Sequence, residues 1–69
     1  MAGDPLNWQQ LSSSNLDAMR YDPETQVLEV RFKSGRTYPF NGVPQALAEG
    51  LETASSPGSF FAQNIKGQF

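Results

Sequence analysis

Val27 to Phe32 alternates without a break, with Leu28, Val30 and Phe32 on one side and Val27, Glu29 and Arg31 on the other. Such a period of two is the signature of a strand with one buried face. The turn signals on either side decide what its neighbours become. Before it, Asp22-Pro23-Glu24-Thr25 puts Asp at the first and Pro at the second position of a type I turn, where the fixed φ of proline is already correct. A hairpin with the preceding segment follows. In that segment Leu16, Met19 and Tyr21 are spaced by three and then two, which an extended chain accommodates with one extra residue near Asp17 and Ala18, a β-bulge.

After the strand comes Lys33-Ser34-Gly35-Arg36. A two-residue loop at Ser34-Gly35 sets Lys33 opposite Arg36, a like-charge pair, on a turn sequence such loops do not favour. A three-residue loop makes Lys33 and Ser34 a type I turn with Gly35 in the left-handed position, and pairs Phe32 with Arg36. Val30 then lies opposite Tyr38 and Leu28 opposite Phe40, so both aromatics share the apolar face. Pro39 cannot donate to a ladder, which makes this third strand an edge and the Val27–Phe32 strand the centre.

Val43-Pro44 opens a helix, with Pro at the first helical position and Val43 as an apolar staple. Leu47, Gly50, Leu51 and Ala54 recur at helical spacing, and the small Gly50 points to close packing against the sheet. Ser55-Ser56-Pro57-Gly58 ends this helix. Ser59 then caps a shorter one in which Phe61, Ile65 and Phe69 share a stripe. The expected fold is α+β: a three-stranded antiparallel β-meander followed by two short α-helices packed on one face, in the order β-β-β-α-α. Leu28, Val30, Phe32, Tyr38 and Phe40 form the expected core with Leu16, Leu47, Leu51, Phe61 and Ile65. Residues 1–7 read as a disordered N-terminal tail. Residues 8–69 read as one domain, with Trp8 and Leu11 the first side chains able to dock on a core.

The chain of 69 residues admits only one domain, and at this size about 60% of the unfolded surface is buried. Stability is then a few kcal/mol. With neither Cys nor His there is no disulfide and none of the usual zinc sites, so packing alone holds the fold. The absence of a long apolar run and of a basic, apolar leader predicts a soluble, cytoplasmic protein with no membrane partner. A net charge of −2 argues against binding nucleic acid by bulk charge.

The commonest catalytic tools are missing as well. Ser12–Ser14 or Ser55–Ser56 with Lys33 or Lys66 make a formal Ser–Lys pair, yet turns and caps account for these serines. The carboxylates are scattered without calcium-loop spacing, and the glycines match no phosphate-cradling motif. No catalytic residue, metal ligand or cofactor is assigned. Two constellations remain. Tyr38-Pro39-Phe40 places two aromatics on one strand, as in sheets that stack bases, although the turn parity favours core packing for the pair. Arg31, Lys33 and Arg36 surround the second hairpin, with Arg20 and Lys66 elsewhere. Such cations contact phosphates in some proteins and merely protect an edge in others.

Ser13-Ser14-Asn15-Leu16, Tyr21-Asp22, Leu28-Glu29-Val30-Arg31-Phe32, Gly35, Tyr38-x-Phe40, Val43-Pro44, Ser56-x-Gly58-x-Phe60-Phe61, Ile65 and Phe69 follow one another in an order that resembles the KTSC domain. That family is named for the C-terminus of certain lysyl-tRNA synthetases and also occurs as small bacterial and phage proteins. The resemblance covers about residues 11 to 69. Phe40 departs from the Tyr-x-Tyr signature and lacks its second phenol, and Ala62 stands where the family often has Asn. The resemblance implies a small β-rich accessory module without catalytic residues. Its suggested partner is RNA or tRNA, which here would meet Arg31, Lys33, Arg36 and Tyr38. The other reading is a protein-interaction module, phage- or prophage-encoded, docking as a monomer through an edge strand or apolar patch.

Overall fold

A computed structural model describes residues 8–69, and the tail expected over residues 1–7 lies outside the described residues. Four strands form one antiparallel sheet in chain order: β1 (Gln9–Gln10), β2 (Leu16–Asp22), β3 (Val27–Phe32) and β4 (Thr37–Phe40). Two helices follow, α1 (Gln45–Thr53) and α2 (Pro57–Asn64). The expected meander is therefore present with one short strand added in front. Two residues are too few to show a period, so β1 has no local signature.

The bulge is where the spacing of Leu16 and Met19 requires it. Leu16 pairs with Phe32 and Ala18 with Arg31, which leaves Asp17 as the extra residue. Leu16, Met19 and Tyr21 thereby share the face of Phe32, Val30 and Leu28. At the first turn the Asp22 carboxylate accepts the Glu24 N–H at 2.9 Å, and Gln26 closes the connection in the left-handed region at φ 58°. The second turn has three residues. Gly35 N–H donates to the Phe32 carbonyl at 2.9 Å, Phe32 N–H donates to the Arg36 carbonyl at 2.8 Å, and Gly35 has φ +97°. Val30 then faces Tyr38 and Leu28 faces Phe40, the register that the loop length demands.

Both helices cover the same face of the sheet. Leu11, Leu16, Met19, Leu28, Val30, Val43, Ala48, Leu51, Phe61 and Ile65 make the buried core, and Tyr21, Phe32, Phe40, Leu47 and Phe60 pack at its margin. Phe61 sets its ring edge-to-face against both Phe32 and Phe40, at centroid distances of 5.6 and 5.5 Å. These contacts hold α2 over β3 and β4.

Five details differ from the sequence reading. Tyr38 lies on the apolar face but is 43% exposed, because the edge position of β4 leaves its ring beyond the helices; it is not a core residue. Pro44 is the N-cap of α1 with ψ 147°, and the helix begins one residue later. Gly50 is small on account of α2 rather than the sheet, since a Cβ there would stand 2.5 Å from Phe60 Cζ. α2 starts at Pro57, which takes the first helical position that proline prefers, so Ser56 and not Ser59 is its N-cap. Phe69 falls off the stripe because α2 ends at Asn64 and Gly67 turns the chain at φ +80°, leaving Phe69 42% exposed.

Candidate functional site

The residues singled out for RNA contact divide between the two faces of the sheet. Alternation puts Arg31 on the outer face, opposite Ala18, whereas Arg36 and Tyr38 follow the parity of Phe32 and stand on the helix side of β4. Arg36 and Tyr38 are adjacent, with Arg36 Nη1 donating to the Tyr38 hydroxyl at 3.5 Å. This hydrogen bond and the attraction of the phenolic oxygen raise the Arg36 pKa further above its ordinary value. Tyr38 in turn meets the ring of Phe32 edge-to-face at 5.5 Å. Lys33 begins the turn between them, its N–H donating to the Asn15 carbonyl at 2.9 Å. Lys33 and Arg36 form no ion pair among the described residues. Phe40, the second member of the aromatic motif, packs against Phe61 and has no hydroxyl to offer.

On the outer face the charges are consumed internally. Arg31 Nε bonds Asp17 Oδ2 at 2.9 Å, and Arg20 Nε bonds Glu29 Oε1 at 2.5 Å across the β2–β3 pair. The Arg31 bond is the chief reason that the Asp17 carboxyl sits below its ordinary value of 3.8, with a second contribution from Gln10. Gln10 Nε2 reaches Asp17 Oδ1 at 2.9 Å. Trp8 completes the group, its ring 4.6 Å from the guanidinium carbons of both Arg20 and Arg31. Ala18 is fully buried beneath this cluster. Sequence reasoning expected Trp8 to dock on the core and missed the cluster. It joins residues from three strands and carries no local pattern beyond an aromatic upstream of two arginines.

A polar cleft of about 430 Å³ opens at the end of the molecule where Ser12–Asn15 meets Ser55–Ser59 and Ala62. Ser13 Oγ accepts the N–H groups of Asn15 and Leu16, and Ser56 Oγ donates to Ser59 Oγ at 3.1 Å. No serine hydroxyl bonds a lysine among the described residues, so the formal Ser–Lys pair is not assembled. Among the described residues no cluster of carboxylates has the makings of a metal site, and no helix is long and apolar enough to cross a membrane.

This arrangement of strands, turns and helices recurs in known proteins. A crystal structure of a KTSC domain protein from Yersinia pestis superposes with a TM-score of 0.87 at 38% identity, covering 91% of this chain and 89% of that one. An uncharacterized protein of Stutzerimonas stutzeri is 45% identical over 58 residues, 84% of this chain and 82% of its own length. A lysine–tRNA ligase of Nostoc is 45% identical over 56 residues, 81% of this chain but only 10% of the ligase. The KTSC domain family matches residues 12–69, a span that takes in every element after β1. On that match, on the shared fold and on relatives of nearly equal length, this chain belongs to the KTSC domain family.

Proposed function

We propose that this domain is a non-catalytic accessory binding module that contacts RNA weakly through the β3–β4 hairpin. The observation that carries the reading is the position of Tyr38, exposed at the sheet edge beside Arg36 and next to the turn that holds Lys33. An exposed aromatic ring beside a cation that forms no ion pair among the described residues is an arrangement that single-stranded nucleic acid favours. The occurrence of a similar segment within lysine–tRNA ligases supports RNA as the partner. Arg31 contributes little to phosphate binding, because Asp17 already neutralises it on the opposite face.

Docking of a protein strand on β4 is the weaker reading. Tyr38 and Phe40 direct their backbone groups at β3, so Thr37 and Pro39 present theirs to the free edge. Pro39 has no N–H there, and an added strand loses a ladder bond.

Isotope-labelled chain titrated with tRNA decides the matter. At about 50 mM salt, amide shifts are expected over residues 33–38, with a log–log salt slope near −1.4 to −1.8 for two phosphate contacts. Lys33→Glu combined with Arg36→Glu removes the shifts. A silent hairpin at that salt overturns the proposal.

A further inference from the structure

Trp8 belongs to a short arm held at the edge of β2 by a two-residue ladder and on the outer face by side chains. Leu11, at its base, is 5% exposed in the core and stays pinned there. Among the described residues beyond Leu11, the arm is held by the two-residue strand β1, the bonds from Gln10 to Asp17, and the stacking of Trp8 on Arg20 and Arg31. Each of these arginines uses its Nε on a carboxylate, Glu29 for Arg20 and Asp17 for Arg31. That bond lies in the guanidinium plane and leaves the π face for stacking. In the present arrangement the indole takes both faces.

We infer that Trp8 occupies a stacking site for an unpaired nucleobase, and that release of Trp8–Gln10 about Leu11 delivers the faces of Arg20 and Arg31 to that base. The inference rests on the RNA reading above and adds a second contact surface, on the opposite side of the sheet from Tyr38. A base fits the site better than a phosphate. The two arginines are balanced by Asp17 and Glu29, so the net field there attracts no anion, whereas a flat neutral ring needs only what the indole now uses. The arm lies just before residue 12, where the family match begins.

Trp8 is the one tryptophan of the chain, and its fluorescence therefore reports the arm directly. Titration of the full chain with a short oligouridylate is expected to shift its emission to longer wavelength as the indole enters water. Trp8→Ala is expected to bind the same oligonucleotide about 5- to 30-fold more tightly, the factor by which two exposed cation–π contacts bias the closed arm. Gln10→Ala, at an exposed position, weakens the arm while keeping the indole; it is expected to tighten binding less, and it serves should the first variant fail to fold. Arg20→Lys with Arg31→Lys keeps the charge but removes the planar faces, and is expected to abolish the emission shift.

The inference is overturned if emission stays constant at saturation, if neither arm variant binds more tightly, or if the double lysine variant retains the shift. A response to N-acetylphenylalaninamide but not to oligouridylate also overturns it, in favour of a protein aromatic as the ligand. Failure of the hairpin reading looks different: amides 33–38 stay silent while Trp8 still moves.

Discussion

The Tyr21 hydroxyl donates to the carbonyl of Val43 at 2.5 Å, tying the end of β2 to the segment that launches α1. Val43 N–H donates to the Gln26 carbonyl at 3.0 Å, so both backbone groups of this fully buried residue are anchored on the first hairpin. Burial, with the nearby Asp22 charge, raises the Tyr21 pKa above its ordinary value of 10. Tyr21→Phe leaves the Val43 carbonyl without this partner and is expected to cost about 1–3 kcal/mol. Urea melts of the two chains, compared at equal slope, measure it.

Phe61 is the ring on which the sheet and α2 converge. At 6% exposure, with edge-to-face contacts to Phe32 and Phe40, its truncation to Ala is expected to cost about 3–5 kcal/mol. A domain this small holds about that much in total, so the variant unfolds. Phe32→Ala, at the half-buried margin, is expected to cost roughly 2 kcal/mol and to leave the fold intact. Circular dichroism at room temperature separates the two results, and equal loss of structure in both sinks this ranking.

Gly50→Ala tests the contact between the helices. Outside such a contact the exchange favours a helix by about 1 kcal/mol. Here the new methyl meets the Phe60 ring, and overpacking costs about 1–3 kcal/mol, for a net loss near 1. In a Phe60→Ala background the same exchange is expected to become stabilising. An unchanged sign across this double-mutant cycle shows that Phe60 does not govern position 50.

Asp17 makes stability depend on acid. Its folded pKa lies below the ordinary 3.8 because Arg31 and Gln10 bind the ionised form. Folding therefore gains from the carboxylate at pH values above 3.8, and the gain is lost as pH falls through the lower folded pKa. The wild-type chain is expected to melt above Asp17→Asn at about pH 6, with the difference vanishing in strong acid. A constant gap between the two melting curves at every pH contradicts this.

What the sequence determined by itself is whatever acts between chain neighbours. Alternation and turn chemistry suffice for β3, for the bulge at Asp17, for the three-residue loop at Gly35 and for the register that pairs Val30 with Tyr38. They also imply that Arg31 and Tyr38 stand on opposite faces, so the division of the candidate site was already legible there. The tertiary structure alone decided how far each element reaches over the sheet. It leaves Tyr38 beyond the helices, sets Phe60 against Gly50, and ends α2 before Phe69 can join the core. It also brings Trp8, from the segment just before β1, onto Arg20 of β2 and Arg31 of β3. Contacts of that kind arise only when separate elements cross, and their cost in chain entropy is recovered from burial across the whole core. No window of neighbouring residues contains that sum.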